Sequence, residues 1–102
     1  MRAATEKYIN DLKKIEFPRY VKEIILFGSE AYGSPNLYSD IDIAVVYEGK
    51  YSIKLRGDVE ELFEQVISPY DLQLVFVNKS RERLNFDVRD CIFGRGIKIY
   101  EE

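Results

Sequence analysis

The chain has 102 residues, 46% hydrophobic and 32% charged, with a formal net charge of −3. That length fits one domain of ordinary size, so a single domain over residues 1–102 is expected. One cysteine and no histidine exclude an intrachain disulfide, Cys/His zinc sites, Cys-His nucleophiles and Ser-His-Asp triads, which leaves carboxylates to carry any metal or acid–base chemistry.

In chain order, Tyr8, Ile9, Leu12 and Ile15 fall near helical spacing and predict a helix over Thr5–Ile15, with Thr5 as cap and Pro18 beyond its end. Val21–Phe27 is dense in β-branched and apolar residues and stops at Gly28, so it reads as a buried strand. Ser29–Gly33 has room for one or two helical turns, and Gly33-Ser34-Pro35-Asn36 is loop chemistry. Asp40–Tyr47 is a second strand, in which Ile41, Ile43 and Val45 alternate with Asp40, Asp42 and Ala44. Val59, Leu62, Phe63, Val66 and Ile67 form an amphipathic stripe, and Asp58, Glu60, Glu61 and Glu64 form its solvated face. Ser68-Pro69 breaks that helix before a third strand over Tyr70–Val77. Ser80–Phe93 predicts a last helix capped by Ser80 and ended by Gly94. Leu84, Val88, Cys91 and Ile92 form its apolar stripe, and Cys91 is expected in the core. Ile97–Tyr100 can close the sheet. The fold class expected is α+β, a two-layer arrangement of a small mixed β-sheet with helices packed on one face.

The chemistry concentrates between Leu26 and Val46, where Gly28-Ser29 is followed at a fixed distance by Asp40-x-Asp42. Strand side chains alternate, so Asp40 and Asp42 share a face with Cα atoms roughly 6.5–7 Å apart. Carboxylates so placed can converge on divalent cations about 3.5–4 Å apart, and a cation relieves their mutual repulsion. Taken alone, an Asp-x-Asp also fits a polar strand edge in water. Gly28-Ser29 sits where a strand gives way to a short helix, a place where main-chain N–H groups bind phosphate and glycine allows close approach. Taken alone, it also fits a plain turn. Asp71 opens an apolar strand, where a charge calls for a reason, although a solvated strand end is one. Gly-Ser and Asp-x-Asp at one spacing should coincide in a chain this long on the order of once in a thousand.

These residues resemble the signature of the DNA polymerase beta nucleotidyltransferase superfamily, and the small size resembles its minimal nucleotidyltransferase branch. The resemblance spans about the whole chain and implies transfer of a nucleoside monophosphate from a triphosphate, most simply AMP from ATP, with two Mg²⁺ ions, Mn²⁺ being an alternative. By position, it implies that Asp40 and Asp42 bind both metals. Asp71 would bind the metal that activates the acceptor hydroxyl, and Gly28 and Ser29 would hold the triphosphate. Minimal members commonly carry Ala-Arg-Gly where this chain has Ala31-Tyr32-Gly33, so a cation that could meet phosphate is replaced. The resemblance also implies a HEPN-domain toxin as partner, AMP added to a tyrosine of that toxin, and an antitoxin role. A non-catalytic binding module stays open beside it.

Tyr32 and Tyr38 flank the loop and could stack on a base, though ordinary packing explains them as well. Arg81, Arg83, Arg89 and Arg95 could meet phosphates or simply be solvated helix charges. A net acidic chain is a poor partner for long DNA or RNA. Without an apolar run of membrane length or a signal-like opening, no membrane association and a cytoplasmic location are expected.

Overall fold

Three β-branched segments form the centre of the molecule in the computed structural model, which describes residues 1–33, 35–80 and 85–102. They are β1 (Val21–Phe27), β2 (Ile41–Tyr47) and β3 (Leu72–Asn78), and a fourth strand, β4 (Ile97–Glu101), closes one edge. The order across the sheet is β3-β2-β1-β4. The β1–β2 and β1–β4 pairs are antiparallel and β2–β3 is parallel, so the sheet is mixed. The parallel pair needs a crossover, which the chain makes through a helix, α3 (Ile53–Phe63). Before β1 lies α1 (Ala3–Leu12), and between β1 and β2 a single helical turn, α2 (Ser29–Tyr32).

Alternation along the strands divides the core in two. Ile24, Leu26, Ile41, Ile43 and Val45 pack with Tyr8, Ile9 and Leu12 of α1 and with Val59 and Phe63 of α3. These side chains are nearly all fully buried, so truncating one to Ala should cost on the order of 2–5 kcal/mol. Both long helices therefore cover one face, as expected for them, whereas the closing helical segment, expected on that face too, lies over the other one. The opposite face carries Ile25, Ala44, Val46 and Val77, with Ile92 over them. Ile92 belongs to a π-helical segment (Asp90–Gly94) that continues α4 (Phe86–Arg89).

Element ends differ from the sequence expectations for local reasons. Thr5 lies buried inside α1, and Arg2 holds the N-cap position. The apolar stripe of α3 outlasts its helix. Gln65 N–H bonds to Leu62 O and Val66 N–H to Phe63 O, a tightened last turn, and Ile67 is left 92% exposed. Among the described residues the closing helix starts at Phe86, where Asn85 Oδ1 accepts from Val88 N–H at 2.8 Å; the expected cap at Ser80 would act on residues outside the described ones. Cys91 is half-buried there, not enclosed as expected. Arg81, Arg83 and Leu84 lie outside the described residues. No helix among the described residues is long and apolar enough to cross a membrane.

Candidate active site

The site is built where β1 ends. Gly28 takes φ 76° and ψ −159°, a region open essentially to glycine alone, and turns the chain from β1 into α2. Phe27 pairs with Asp42 across the β1–β2 ladder, which brings the Asp42 carboxylate over Gly28. A Cβ placed on residue 28 would overlap Asp42 Oδ2 and lie 3.1 Å from its Cγ. Glycine is thus required twice, by its backbone angles and by the carboxylate against it. Within α2, Gly28 O accepts from Ala31 and Tyr32 N–H at 3.1 Å, leaving the Ser29 and Glu30 N–H groups without intrahelical acceptors. Gly33 closes the turn in the left-handed region at φ 83°.

Asp40 lies one residue before β2 and Asp42 within it, both half-buried. Burial pushes the Asp42 carboxyl above its ordinary value, and the neighbouring charge of Asp40 adds to the rise. Ile41 between them is fully buried on the helix-covered face, so the pair belongs to the other side of the sheet, as alternation predicts.

Asp71 sits one residue before β3, exposed, and its carbonyl accepts from Ile41 N–H at 2.8 Å. Leu72 packs toward the helices, so alternation leaves Asp71 and Gln73 on the Asp42 side. Register then separates these two. Ile41 pairs with Leu72 and Asp42 with Gln73, so the side chain beside Asp42 across the ladder is an amide, with Asp71 two residues earlier, on the Asp40 side. Among the described residues no three Cys, His, Asp or Glu side chains converge closely enough to ligate one metal ion. Asp42 and Gly28 therefore come together with Asp40 as the charged neighbour of Asp42, and Asp71 joins their face at its margin. Gln73 was not singled out from sequence, because alternation gives a residue's face but not its cross-strand neighbour.

A largely apolar cavity of about 470 Å³ opens beside Gly28 on this face, lined by Phe27, Tyr32, Val75, Val88 and Ile92 among others. Tyr32, which stands where the resemblance expects Arg, is a wall of this cavity. Its hydroxyl donates to Cys91 O at 2.9 Å, and the Arg95 guanidinium lies 4.7 Å over its ring. Arg95 is itself held 3.3 Å from Asp90. Tyr38, the other candidate for stacking, is 91% exposed.

The model of the family described as "Polymerase beta, Nucleotidyltransferase" matches residues 6–102. No curated protein matches the sequence. Solved structures share the fold at low identity. A toxin–antitoxin crystal structure with AMP-PNP is 22% identical, with 97% of this chain and 72% of that chain aligned at a TM-score of 0.59. A mutant of the toxin–antitoxin MntA-HpeT is 19% identical over 96% of this chain and 71% of that one, at 0.59. A structure of tri-AMPylated Shewanella oneidensis HEPN toxin with MNT antitoxin is 19% identical over 96% and 67%, at 0.52. With nearly its whole length matched by the family model, and with an Asp-x-Asp strand set against a Gly-Ser turn, this chain belongs to the polymerase beta nucleotidyltransferase family.

Proposed function

We propose that this chain is a single minimal nucleotidyltransferase domain that moves AMP from ATP onto a hydroxyl of a partner protein in the cytoplasm. The observation that supports this most is the Asp42 carboxylate held against Gly28 with Asp40 as its charged neighbour. A pair of crowded, half-buried carboxylates suits an all-oxygen site for Mg²⁺, or Mn²⁺ in its place. Asp40 and Asp42 would hold the ions, and for Asp71 to share one of them its exposed side chain would have to move in from the margin of the face. Magnesium bound there supplies a lowered pKa for the acceptor hydroxyl and charge neutralisation at the departing pyrophosphate.

The chain's own residues do the rest. Gly28 makes the turn into α2, and the Ser29 hydroxyl and the first N–H groups of α2 donate to the triphosphate oxygens. The apolar cavity beside Gly28 receives the base, with Tyr32 as a wall. The acceptor oxygen bonds to the α-phosphorus as the bond from that phosphorus to the bridging oxygen breaks in line. The hydroxyl proton passes to Asp71, and pyrophosphate leaves. A relative of the same fold is seen with an AMPylated HEPN toxin, so the acceptor we propose is a tyrosine of a HEPN-type toxin and the role that of an antitoxin.

The test is transfer from α-labelled ATP in Mg²⁺ to a HEPN-type partner captured from native cells. Asp42→Asn should abolish labelling while the melting curve stays cooperative. Full labelling by a folded Asp42→Asn protein would contradict the scheme. One observation favours a second reading, a module that neutralises its partner by contact alone: the neighbour of Asp42 on β3 is Gln73, and Asp71 stands at the margin. Partner capture with no labelling by the wild-type protein would establish that reading.

A further inference from the structure

Outside the site itself, one side chain touches every segment that carries it. The Arg2 guanidinium donates from Nε to Glu30 Oε1 at 2.9 Å, from Nη1 to Asn36 O at 3.0 Å and from Nη2 to Ser39 O at 2.7 Å. Its Cζ lies 3.4 Å from the centroid of the Tyr70 ring. Three of these partners are chain neighbours of the proposed site residues: Glu30 follows Ser29, Ser39 precedes Asp40 and Tyr70 precedes Asp71. Glu30 is 1% exposed, and among the described residues its Oε2 has no hydrogen-bond partner, so Arg2 is the cation that makes this buried carboxylate tolerable. Apart from the Ile41 N–H to Asp71 O bond at 2.8 Å, which ties the two strand entries at their first ladder rung, the backbone around these contacts is held by short-range bonds. Ser39 Oγ accepts from Asn36 N–H at 2.9 Å, Asn36 Oδ1 from Tyr38 N–H at 2.8 Å, and Ser68 Oγ donates to Tyr70 O at 2.5 Å, all local bonds.

We propose that Arg2 is a positioning residue, which joins the Ser29 turn, the strand entry at Asp40 and the strand entry at Asp71 into one frame. The geometry asks for arginine. A planar fork with several donors can pair with a carboxylate, meet two carbonyls and stack on a ring at once, and an ammonium cannot. The metal-site part of the inference rests on the proposed nucleotidyl transfer; the ordering part does not.

Removing Arg2 alone strands the buried Glu30 charge and lowers the melting temperature, so the informative variant is Arg2→Met with Glu30→Gln. It removes both charges and should melt cooperatively near the wild type. In that double variant we expect amide exchange at residues 36–41 and 70–72 to speed up at least tenfold, with exchange in the middle of β1 unchanged. We also expect Mn²⁺ affinity, read by paramagnetic titration of the free protein, to fall at least tenfold, and Arg2→Lys to fall between. Wild-type exchange in both segments of the folded double variant overturns the proposal. If the wild-type protein binds no Mn²⁺ and transfers no nucleotide, the transfer reading fails, and the exchange result still decides the role of Arg2.

Discussion

Asp42 and Gly28 occupy each other's space: the Asp42 carboxylate lies where a side chain on residue 28 would be. Two penalties therefore meet in Gly28→Ala. Placing Ala at φ 76° and ψ −159° costs on the order of 1–3 kcal/mol, and relieving the overlap requires the carboxylate to move. Urea unfolding should show a loss of about 2 kcal/mol or more, with nucleotidyl transfer lost as well. In an Asp42→Ala background the overlap is gone and the backbone cost remains, so the same substitution should cost less without becoming neutral. Equal costs in both backgrounds would mean that the carboxylate does not press on residue 28.

The same relationship shows how far the sequence was legible. Gly28, the alternation of Asp40, Ile41, Asp42 and Ile43, and the apolar runs of β1 and β3 are local signals, and the structure carries each of them in place. The extent of the last helix was not legible. Among the described residues it begins after Asn85, whose Oδ1 caps Val88 N–H, and Val88 of the expected stripe is exposed, a local side-chain bond that periodicity does not reveal. The pairing of Asp42 with Gln73, two residues past Asp71, is a register, and register is set by how two distant strands dock. Arg2 could not be read at all, because its partners lie 28 or more residues away.

Register makes the third acidic position a sharp test. If Asp71 takes the acceptor proton, Asp71→Asn should lower kcat by about 10²–10⁴-fold, and Gln73→Ala should stay within several-fold of wild type. The reverse pattern would move the third site position to Gln73. Gln73→Asp adds a like charge beside Asp42, so it should destabilise the metal-free protein by under about 1 kcal/mol, and Mg²⁺ should restore the loss. Thermal melts with and without Mg²⁺ separate these outcomes.

Ligand linkage gives a readout that needs no acceptor. Mg²⁺ with ATP at a hundredfold over Kd stabilises the native state by about 2.7 kcal/mol. For a domain of this size that shift should move Tm by roughly 10 °C or more. Asp40→Asn and Asp42→Asn should each remove the Mg²⁺-dependent part of the shift. A wild-type protein whose Tm ignores both Mg²⁺ and nucleotide would indicate a domain whose site no longer binds either.

Tyr8 supplies the pH dependence. Its side chain is 2% exposed, its hydroxyl has no hydrogen-bond partner among the described residues, and burial raises its pKa to about 12. The unfolded phenol ionises near 10, so the folded state holds the proton more tightly. Stability from this group is fully present below pH 10 and is lost as pH rises from 10 through 12. At pH 12 the loss should reach about 2 kcal/mol. Tyr8→Phe removes a buried hydroxyl that bonds to none of the described residues, so it should be neutral or mildly stabilising at pH 7. Its denaturation midpoint should pull ahead of wild type between pH 10 and 12. Subtracting the two pH series cancels the contribution of the lysines and the other tyrosines. A difference that stays flat across that interval would mean that the Tyr8 phenol ionises as easily in the folded protein as in the unfolded chain.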